Sequence, residues 1–567
     1  MKKIIILFFL FLIQQVIYAQ KEQYAFFMKT WNFLKYYHPD LASGKVDADS
    51  LFLANIEKVD EKSDANSIIK QLSGKLSNPI SHSLVIDEAK EALTVNQNFD
   101  WYKKNKMLTA EGKTILSTIF EHRYIGKVLK EKQYELSKKE QLPLPFRLLI
   151  LAKIQGSIDY LFPHKYLMDK NFEVFFTDLV GQAISSPSRK DFEIILAKAI
   201  SKMEDSHAFK FYDQLNYKNE ILHRFYYAPF DYQVFNDHLL ITHLIFPEIC
   251  SNAQIVVGDR ITEINGKSIK QIINEKRELL SVSNLENLLY HLSDYQRNMI
   301  WPDDVQQKDF KILHTQNNKA EHTKITFINP TDQQQTSVIS AYLTEKISLK
   351  QQHKLVHNDI AYFKINDVFS LTDNIADDKF DSHMDTIFKE ASSKKAIVFD
   401  MRGYPNWGGF VFHYIYKYFS PRENYFGKYY EPNLKNMGTY IPISYKVYGH
   451  YYPKIENKTV NPYKGKVFII VNPETLSMSE WNTMNLQNIF PQAITIGQQT
   501  AGADGDTVEI QLPAGYSLVF TGNGIFYYDN TQTQKVGIRI NELIKYTDDD
   551  IIQNRDLEFE HILKAIK

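Results

Sequence analysis

The sequence predicts a multi-domain α/β (α+β) chain: a helical N-terminal region, then a β-rich domain, then a C-terminal α/β core. Three observations predict this order. Residues 21 to about 215 carry helical periodicity, residues from about 225 to 330 alternate as short strands, and strand–loop–helix units recur from about 345 to 567. The 567 residues are enough for about three or four domains of common size.

The first residues predict a secretory signal peptide. The stretch "MKKIIILFFLFLIQQVIYAQ" has two lysines, an apolar run and Ala19 as a suitable cleavage residue. An uncleaved membrane anchor is the alternative, but the apolar run is short for a membrane span. We therefore expect a signal peptide over residues 1–19, export to the periplasm or the outside, and no membrane span after cleavage. Because Cys250 is the single cysteine, an internal disulfide is excluded.

The charges of the chain are balanced. Lys and Arg total 66, Asp and Glu total 67, so charge gives no argument for a nucleic-acid partner or an anionic membrane surface. The sequence contains no H-E-x-x-H, no Cys/His spacing typical of zinc, no full calcium loop and no phosphate-binding glycine loop. We therefore predict no metal and no cofactor.

Residues 20–215 form the predicted helical region. The stretch "TWNFLKYYHP" (30–39) pairs with "IQGSIDYLFP" (154–163), and apolar residues carry the match. This pattern indicates a weak internal repeat of a helical unit. His38 and His164 lie beside the paired prolines and are interpreted as helix-end residues rather than ligands.

The last helix of this region, "SRKDFEIILAKAISKM", has an apolar stripe and breaks at "EDSHAFKF" (204–211). After the break, apolar and polar residues roughly alternate, which predicts a strand. Ser206 and His207 therefore lie at a predicted helix-to-strand corner. Such corners often display functional side chains on rigid supports. A corner histidine with only local hydrogen bonds is the alternative.

Residues 225–330 form the predicted β-rich domain. In "IVVGDRITEINGKSIKQII" a Gly258–Asp259 turn precedes Asn265–Gly266, which is the strongest short hairpin signal. The stretch resembles the core of a PDZ domain, where a run of the form GD-x-I-x-x-I-N-G recurs. That resemblance implies a domain that adds a peptide as a strand to a sheet edge. On these residues alone an ordinary hairpin is equally compatible.

The C-terminal core contains two strand–loop–helix units, "KKAIVFDMRGYPNWGG" and "KVFIIVNPETLSMSEW". Ser477 lies in the second, directly before the helix, where free backbone N–H groups and the helix dipole favour an oxyanion. A tetrahedral oxyanion needs two donors. We expect one from the N–H of Met478 and the other from the pair Gly408–Gly409. Alternatively, Ser477 and Ser479 are helix N-caps.

The order of the helical part, the PDZ-like part, "DMRGYPNWGG" and "SMSE" resembles the C-terminal-processing (tail-specific) serine peptidases. The resemblance covers roughly the last two-thirds of the chain. It implies a peptidase core of the ClpP/crotonase-like type over residues 345–567, with Ser477 as nucleophile. It also implies an oxyanion hole built from Gly408, Gly409 and Met478.

The commonest branch of that family activates its serine with a lysine, whose position falls near Ala503. No lysine lies between Ser477 and Lys535, so a serine–lysine dyad would require Lys535 to fold back. The sequence is instead similar to the tricorn-like branch, whose base is a histidine from the helical region with a serine before it. That similarity implies His207 as the base, preceded by Ser206.

The relay of the tricorn-like branch ends in a glutamate. The matching position here holds Gln534, and Glu542 is the fallback. A glutamine can orient a partner by hydrogen bonding but cannot supply charge. The resemblance therefore implies that Gln534→Glu would preserve or raise activity.

The leading functional hypothesis is an exported serine endopeptidase that cleaves peptides or unfolded protein tails by Ser–His acyl transfer. In this hypothesis the PDZ-like domain binds or gates the substrate. The alternative is a non-catalytic ligand- or peptide-binding protein on the same fold, as in retinoid-binding relatives of the family. The missing lysine and Gln534 favour the alternative, whereas Ser477, the Ser206–His207 pair and the glycine loop favour the peptidase.

Overall fold

The computed structural model describes residues 2–60, 62–79, 92–94, 96–126, 134–136, 140–352, 358–367, 375–406, 410–419, 425–446 and 463–567. Within these ranges, no helix is long and apolar enough to cross a membrane. The signal peptide and export remain predictions.

The N-terminal region is helical, as its periodicity predicts. Its helices are α1 (Lys2–Tyr37), α2 (Pro39–Ala42), α3 (Ala48–Ile56), α4 (Ala65–Ser73), α5 (Asp100–Lys103), α6 (Ala110–Glu121), α7 (Leu144–Tyr160), α8 (Phe172–Ser185), α9 (Arg189–Ser201) and α10 (Lys218–Leu222), with a 3-10 helix at Lys165–Leu167. α1 packs against α7 and α8. The tyrosines paired by the sequence repeat, Tyr36 and Tyr160, lie in contact with ring centroids 4.5 Å apart.

The segment after α9 differs from the prediction, and the expected strand is wrong. Ser206–Gln214 form a 3-10 helix. Asp205 caps it, because its carboxylate accepts the backbone N–H of His207 at 3.2 Å. Residues three apart share one face of a 3-10 helix, and here that face carries the buried Phe209 and Tyr212. The apolar spacing that resembled strand alternation comes from this period of three.

Residues 225–330 form an antiparallel sheet. Its elements are β1 (Phe230–Val234), β2 (Leu239–Leu244), α11 (Pro247–Asn252), β3 (Arg260–Ile264), β4 (Lys267–Ser268), α12 (Ile269–Arg277), α13 (Leu285–Leu292), β5 (Gln307–Leu313) and β6 (Ala320–Thr326), and α14 (Gln333–Gln352) follows. The strand order is β1-β2-β3-β5-β6, with β4 paired to β3. Asn265 and Gly266 have φ of 49° and 76° and form the predicted two-residue hairpin turn between β3 and β4.

The C-terminal core contains the predicted parallel sheet. Its elements are β7 (Ile360–Lys364), α15 (Phe380–Ala391), β8 (Ala396–Asp400), α16 (Phe410–Phe419), β9 (Tyr425–Pro432), β10 (Tyr440–Lys446), β11 (Lys466–Val471), α17 (Met478–Ile489), β12 (Ile494–Gly497), β13 (Thr507–Leu512), β14 (Tyr516–Thr521), β15 (Gly524–Tyr527), β16 (Glu542–Leu543), α18 (Asp548–Ile552) and α19 (Leu557–Ala565). The parallel strands follow the order β16-β12-β11-β8-β7. Since β8 and β11 are neighbours, the loops after both strands leave the same edge of the sheet.

Two hairpins of the C-terminal part pack against the N-terminal helices. The β13–β14 hairpin contributes Leu512, Tyr516, Leu518 and Phe520 to the apolar core of the helical region. The β9–β10 hairpin forms an isolated β-bridge between Tyr440 and Leu93. The helical region and the C-terminal core therefore share buried surface.

A buried polar network fixes the β13–β14 hairpin to α9. The Glu193 carboxylate accepts hydrogen bonds from Tyr516 Oη at 2.6 Å and Asn216 Nδ2 at 2.6 Å. Arg189 Nε donates to Tyr516 Oη at 2.9 Å, and the side chains of Arg189 and Glu193 are fully buried. Burial beside Glu193 raises the pKa of Tyr516, so this hydroxyl stays protonated and keeps donating. The network determines where β14 lies relative to the helical region.

We expect Glu193→Ala to destabilise the protein by about 3–5 kcal/mol, because it leaves the buried Arg189 charge without its carboxylate. Thermal unfolding followed by circular dichroism measures the change. Glu111→Ala is the matched control, since Glu111 pairs with Lys70 on the surface and such pairs contribute about 0–1 kcal/mol. Equal unfolding temperatures for both variants would contradict the role given to this network.

Candidate active site

Ser477 lies in the turn between β11 and α17 and has a left-handed backbone, with φ 56° and ψ −119°. A residue other than glycine pays about 1–3 kcal/mol for such a conformation. The Ser477 N–H donates to Ala503 O at 3.1 Å and helps to hold the turn. The side chain makes no cap hydrogen bond to α17, so the N-cap alternative does not describe Ser477. Its hydroxyl is half-buried and donates to Gly505 O at 3.3 Å.

Two side chains attach the Ser477 turn to the loop after β8. Thr475 Oγ1 donates to Met401 O at 2.9 Å, and Ser479 Oγ donates to Gly403 O at 2.5 Å. Ser479 is fully buried, so its hydroxyl is committed to packing, as its place within the helix implies. The loop that begins with "DMRG" therefore runs directly beside Ser477.

The predicted oxyanion donors are only partly described. Gly408 and Gly409 lie outside the described residues. Met478 is the first residue of α17, a position at which the backbone N–H has no carbonyl partner within its helix. The helix dipole adds partial positive charge at this point.

His207 is held by a threonine and a carboxylate. Its Nδ1 lies 2.7 Å from Thr521 Oγ1 and 3.7 Å from Asp205 Oδ1. Thr521 Oγ1 in turn donates to Asp205 Oδ1 at 2.8 Å, and Thr521 N donates to Asp205 Oδ2 at 2.6 Å. Asp205 and Thr521 are fully buried. Nε2 of His207 is buried and has no hydrogen-bond partner among the described residues.

Ser477 and His207 are connected through the base of the β13–β14 hairpin. Ser477 Oγ donates to Gly505 O. The carbonyl of the next residue, Asp506, accepts the N–H of Gly522, which directly follows Thr521, at 2.8 Å. Thr521 contacts His207. Among the described residues the hydroxyl and Nε2 are not hydrogen-bonded to each other, and the hydroxyl donates to Gly505 O instead. Such bonds often tighten only when substrate is bound.

Ser206, the residue before His207, is hydrogen-bonded to α13. Its hydroxyl donates to Asn287 Oδ1 at 3.0 Å and accepts the Ser283 N–H at 2.9 Å. Asn287 Nδ2 also donates to Pro473 O at 3.0 Å. One amide of α13 therefore bridges the residue before His207 and the loop that leads to the candidate nucleophile.

Gln534 does not contact the His207 imidazole. Its Nε2 lies 3.4 Å from Asp205 Oδ1, as a donor to the carboxylate, and its Oε1 is buried without a partner among the described residues. The side chain that the resemblance places at the end of the relay therefore touches a carboxylate that sequence reasoning did not consider.

The two remaining candidate residues, Lys535 and Glu542, interact with other partners. Lys535 Nζ donates to Leu167 O at 2.8 Å and forms an ion pair with Glu204, so it does not fold back to serve as a lysine base. Glu542 lies in β16 and pairs with His561 Nε2 at 2.7 Å. Neither side chain takes part in the hydrogen bonds of His207.

Two buried carboxyls support the loop beneath Ser477. Glu480 accepts hydrogen bonds from Thr500 Oγ1, the Gly502 N–H and the Ala503 N–H at 2.6, 2.9 and 3.0 Å. Asp504 accepts its neighbour's N–H through Oδ1, while Oδ2 is buried without a partner among the described residues. Burial raises the pKa of both carboxyls, and the Glu480 charge raises that of Asp504 further. Because Glu480 faces three donors, Asp504 is the carboxyl that keeps a proton.

Sequence reasoning missed three residues near the imidazole. Asp205 carried one usable signal, since an aspartate two residues before His207 is a good helix cap. Thr521 carried none, because it arrives from a distant strand. His164, interpreted as a helix-end residue, is buried, and among the described residues neither ring nitrogen has a hydrogen bond of normal geometry. Burial lowers its pKa to about 4, and Asp205 and His207 both lie close enough to influence it.

Chemically, the arrangement combines a strained serine, a buried imidazole with a free Nε2, and a helix N-terminus. These are the parts that acyl transfer requires: a nucleophile, a base and an oxyanion donor. Within the described part of the chain, no group of three His, Cys, Asp or Glu side chains is arranged to hold a metal ion.

Comparison with known proteins places the core in a family. Residues 359–543 match the model of peptidase family S41, and no curated protein sequence matches the chain. A CPAF mutant structure is similar with a TM-score of 0.50, 12% identity, and coverage of 75% of this chain and 97% of that one. The tricorn protease matches with a TM-score of 0.33, 13% identity, and coverage of 75% and 36%. The photosystem II D1 C-terminal processing protease matches with a TM-score of 0.32, 12% identity, and coverage of 70% and 92%.

The match to the family model covers β7 to β16, and therefore includes the loops after β8 and β11 that carry the candidate site. The CPAF likeness indicates a shared fold that extends beyond residues 359–543, since it covers 75% of this chain. Residues 359–543 therefore form a domain of peptidase family S41, a family of serine-type peptidases.

Proposed function

We propose that this protein is an exported serine endopeptidase that cleaves peptides or unfolded protein tails. Ser477 is the nucleophile, His207 is the general base, and Met478 N–H is one oxyanion donor. The observation that carries the assignment is the pairing of a strained serine that is not used as a helix cap with an imidazole whose Nε2 is left without a partner.

The proposed reaction begins when the Ser477 hydroxyl turns from Gly505 O toward His207 Nε2. Nε2 takes the hydroxyl proton as Oγ attacks the peptide carbonyl, and the resulting oxyanion is stabilised at the N-terminus of α17. The imidazolium then returns the proton to the leaving amine, which leaves an acyl group on Ser477. Water, deprotonated by the same imidazole, hydrolyses this ester and restores the serine.

The domain over residues 225–330 is the proposed substrate-capture or gating unit, as its PDZ-like hairpin suggests. Its contacts support a mechanical link. Asn284 Nδ2 donates to Thr500 O at 2.8 Å, and Tyr290 Oη donates to Glu474 at 2.7 Å. Together with the Asn287 bridge to Pro473, these bonds let a displacement of α13 reach the loops on both sides of Ser477.

We expect a fluorophosphonate probe to label Ser477 and no other serine, since a fluorophosphonate traps an activated hydroxyl at an acyl-transfer site. Ser477→Ala should abolish labelling and cleavage of unfolded casein without lowering the unfolding temperature. His207→Ala should slow both by about 10³-fold or more, because only binding and oxyanion stabilisation are left. Mass-spectrometric peptide mapping identifies the labelled residue.

Ser479→Ala and His322→Ala are the matched controls. Ser479 is buried and bonded to Gly403, and His322 is an exposed histidine of β6, so both variants should keep a labelled Ser477. A folded wild-type protein with no labelled serine would reject the peptidase and support the non-catalytic binding alternative.

We expect Asp504→Asn to stabilise the protein increasingly as pH rises. The native pKa of Asp504 is raised above an unfolded value of about 3.9, so the native state holds the extra proton. The wild type therefore loses stability as pH rises above about 4 through the native pKa. An asparagine carries no such charge. Unfolding temperatures measured from about pH 4 to pH 8 should diverge, and parallel curves for the two proteins would show that Asp504 is not the protonated carboxyl.

We expect Asn287→Ala to slow labelling of Ser477 and to cost about 1–3 kcal/mol of stability, because it leaves Ser206 and Pro473 without their bridge. Labelling rate and unfolding temperature are the measurements. Glu286→Ala, at the exposed neighbouring position, should change neither. If Asn287→Ala loses stability but is labelled at the wild-type rate, α13 does not communicate with the site.

A further inference from the structure

We infer that Asp205, acting through Thr521, is the charged end of the relay that positions His207, and that it performs the task that the family resemblance assigns to position 534. Asp205 and Thr521 are positioning residues, since neither touches the reacting atoms. The inference rests on the proposed function of Ser477 and His207.

The hydrogen bonds of Thr521 determine which nitrogen of His207 carries the proton. A hydroxyl has one proton, and at 2.8 Å from Asp205 Oδ1 that proton lies on the bond to the carboxylate, which can only accept. Thr521 Oγ1 must therefore accept from its second partner, His207 Nδ1, at 2.7 Å. The proton is thus on Nδ1 and the lone pair is on Nε2, which is the form that can take a proton from Ser477.

Asp205 accepts the Thr521 hydroxyl proton in this pattern only when its carboxyl is ionised. Burial raises its pKa, but hydrogen bonds from His207 and Thr521 outweigh burial and bring the pKa below its ordinary value. Asp205 also accepts the His207 backbone N–H at 3.2 Å and Gln534 Nε2 at 3.4 Å. All of its partners are donors, so the site is built for an anion.

The Asp205 carboxylate also lies close to the imidazole ring of His207. It lies two residues before His207 and caps the same 3-10 helix, so the imidazole and the carboxylate move as one unit. Once His207 accepts a proton, the carboxylate oxygen 3.7 Å from Nδ1 stabilises the imidazolium. Gln534 supports the carboxylate as a neutral donor and supplies no charge.

The neighbouring ionisable groups do not replace Asp205. His164 faces the cluster, and its pKa of about 4 keeps it neutral near neutral pH. Lys535 and Glu204 neutralise each other in an ion pair. The Asp205 carboxylate is the charge that the Thr521 hydroxyl connects to the imidazole.

Four variants test the inference: Asp205→Asn, Thr521→Val, Thr521→Ser and Gln534→Glu. The readout is the rate of Ser477 labelling by a fluorophosphonate as a function of pH, with folding checked by circular dichroism. We expect Asp205→Asn to be slower by about 10³-fold and Thr521→Val by about 10²-fold, while Thr521→Ser keeps the hydroxyl and stays within about tenfold of wild type.

The pH profile separates positioning from simple structural damage. Loss of the carboxylate removes what stabilises the protonated imidazole, so the acid limb of the profile should move to lower pH in Asp205→Asn. If Asp205→Asn does not fold, the Thr521 variants still decide, because Thr521→Val removes the hydroxyl whereas Thr521→Ser keeps it.

Gln534→Glu distinguishes the two placements of the charge. Since position 534 lies against Asp205, a second carboxylate there would repel the first and slow labelling, whereas a relay that ends at 534 would be labelled at least as fast as wild type. Labelling of Gln534→Glu at or above the wild-type rate, or wild-type rates and profile in folded Asp205→Asn, would overturn the inference and leave the peptidase assignment intact. An unlabelled Ser477 in the wild type would overturn the peptidase assignment, and the inference with it.

Discussion

The contact between the Asp205 carboxylate and Thr521 joins the two halves of the candidate site. Asp205 comes from the end of the helical region, and Thr521 ends a strand of the C-terminal part, and both Thr521 donors reach the same carboxylate. The contact can form only because the β13–β14 hairpin is buried against the N-terminal helices. The candidate base and the candidate nucleophile, which are 270 residues apart in sequence, are thus connected by packing between the helical region and a hairpin of the family S41 domain.

The backbone conformation of Ser477 is held by a different set of contacts. Its left-handed backbone costs free energy, and the parallel sheet offsets that cost by holding the turn between the loops after β8 and β12. Glu480 is the centre of this support, because it fastens the loop that carries Ala503, whose carbonyl accepts the Ser477 N–H. At Ala503, near which the family resemblance would place a lysine, the structure shows a backbone support for Ser477.

Sequence patterns predicted those parts of the structure that depend on local order. The parallel sheet followed from its strand–loop–helix units, and the Asn265–Gly266 turn followed from its dipeptide. The 3-10 helix after α9 was missed because its period of three resembles strand alternation over nine residues. Thr521 and the Gln534 contact with Asp205 could not be predicted, since both depend on how a hairpin from one region packs against another. The motif identified Gln534 from its position in the sequence, whereas the contact between Gln534 and the Asp205 carboxylate became visible only in the packed structure.

The most direct test of the central claim is to trap the acyl-enzyme. Wild-type protein is mixed with a p-nitrophenyl ester, quenched in acid within the burst phase and mapped by mass spectrometry. The account predicts a burst of nitrophenol and a single acyl group on Ser477. Turnover without a covalent adduct, or an acyl group on another residue, would contradict it.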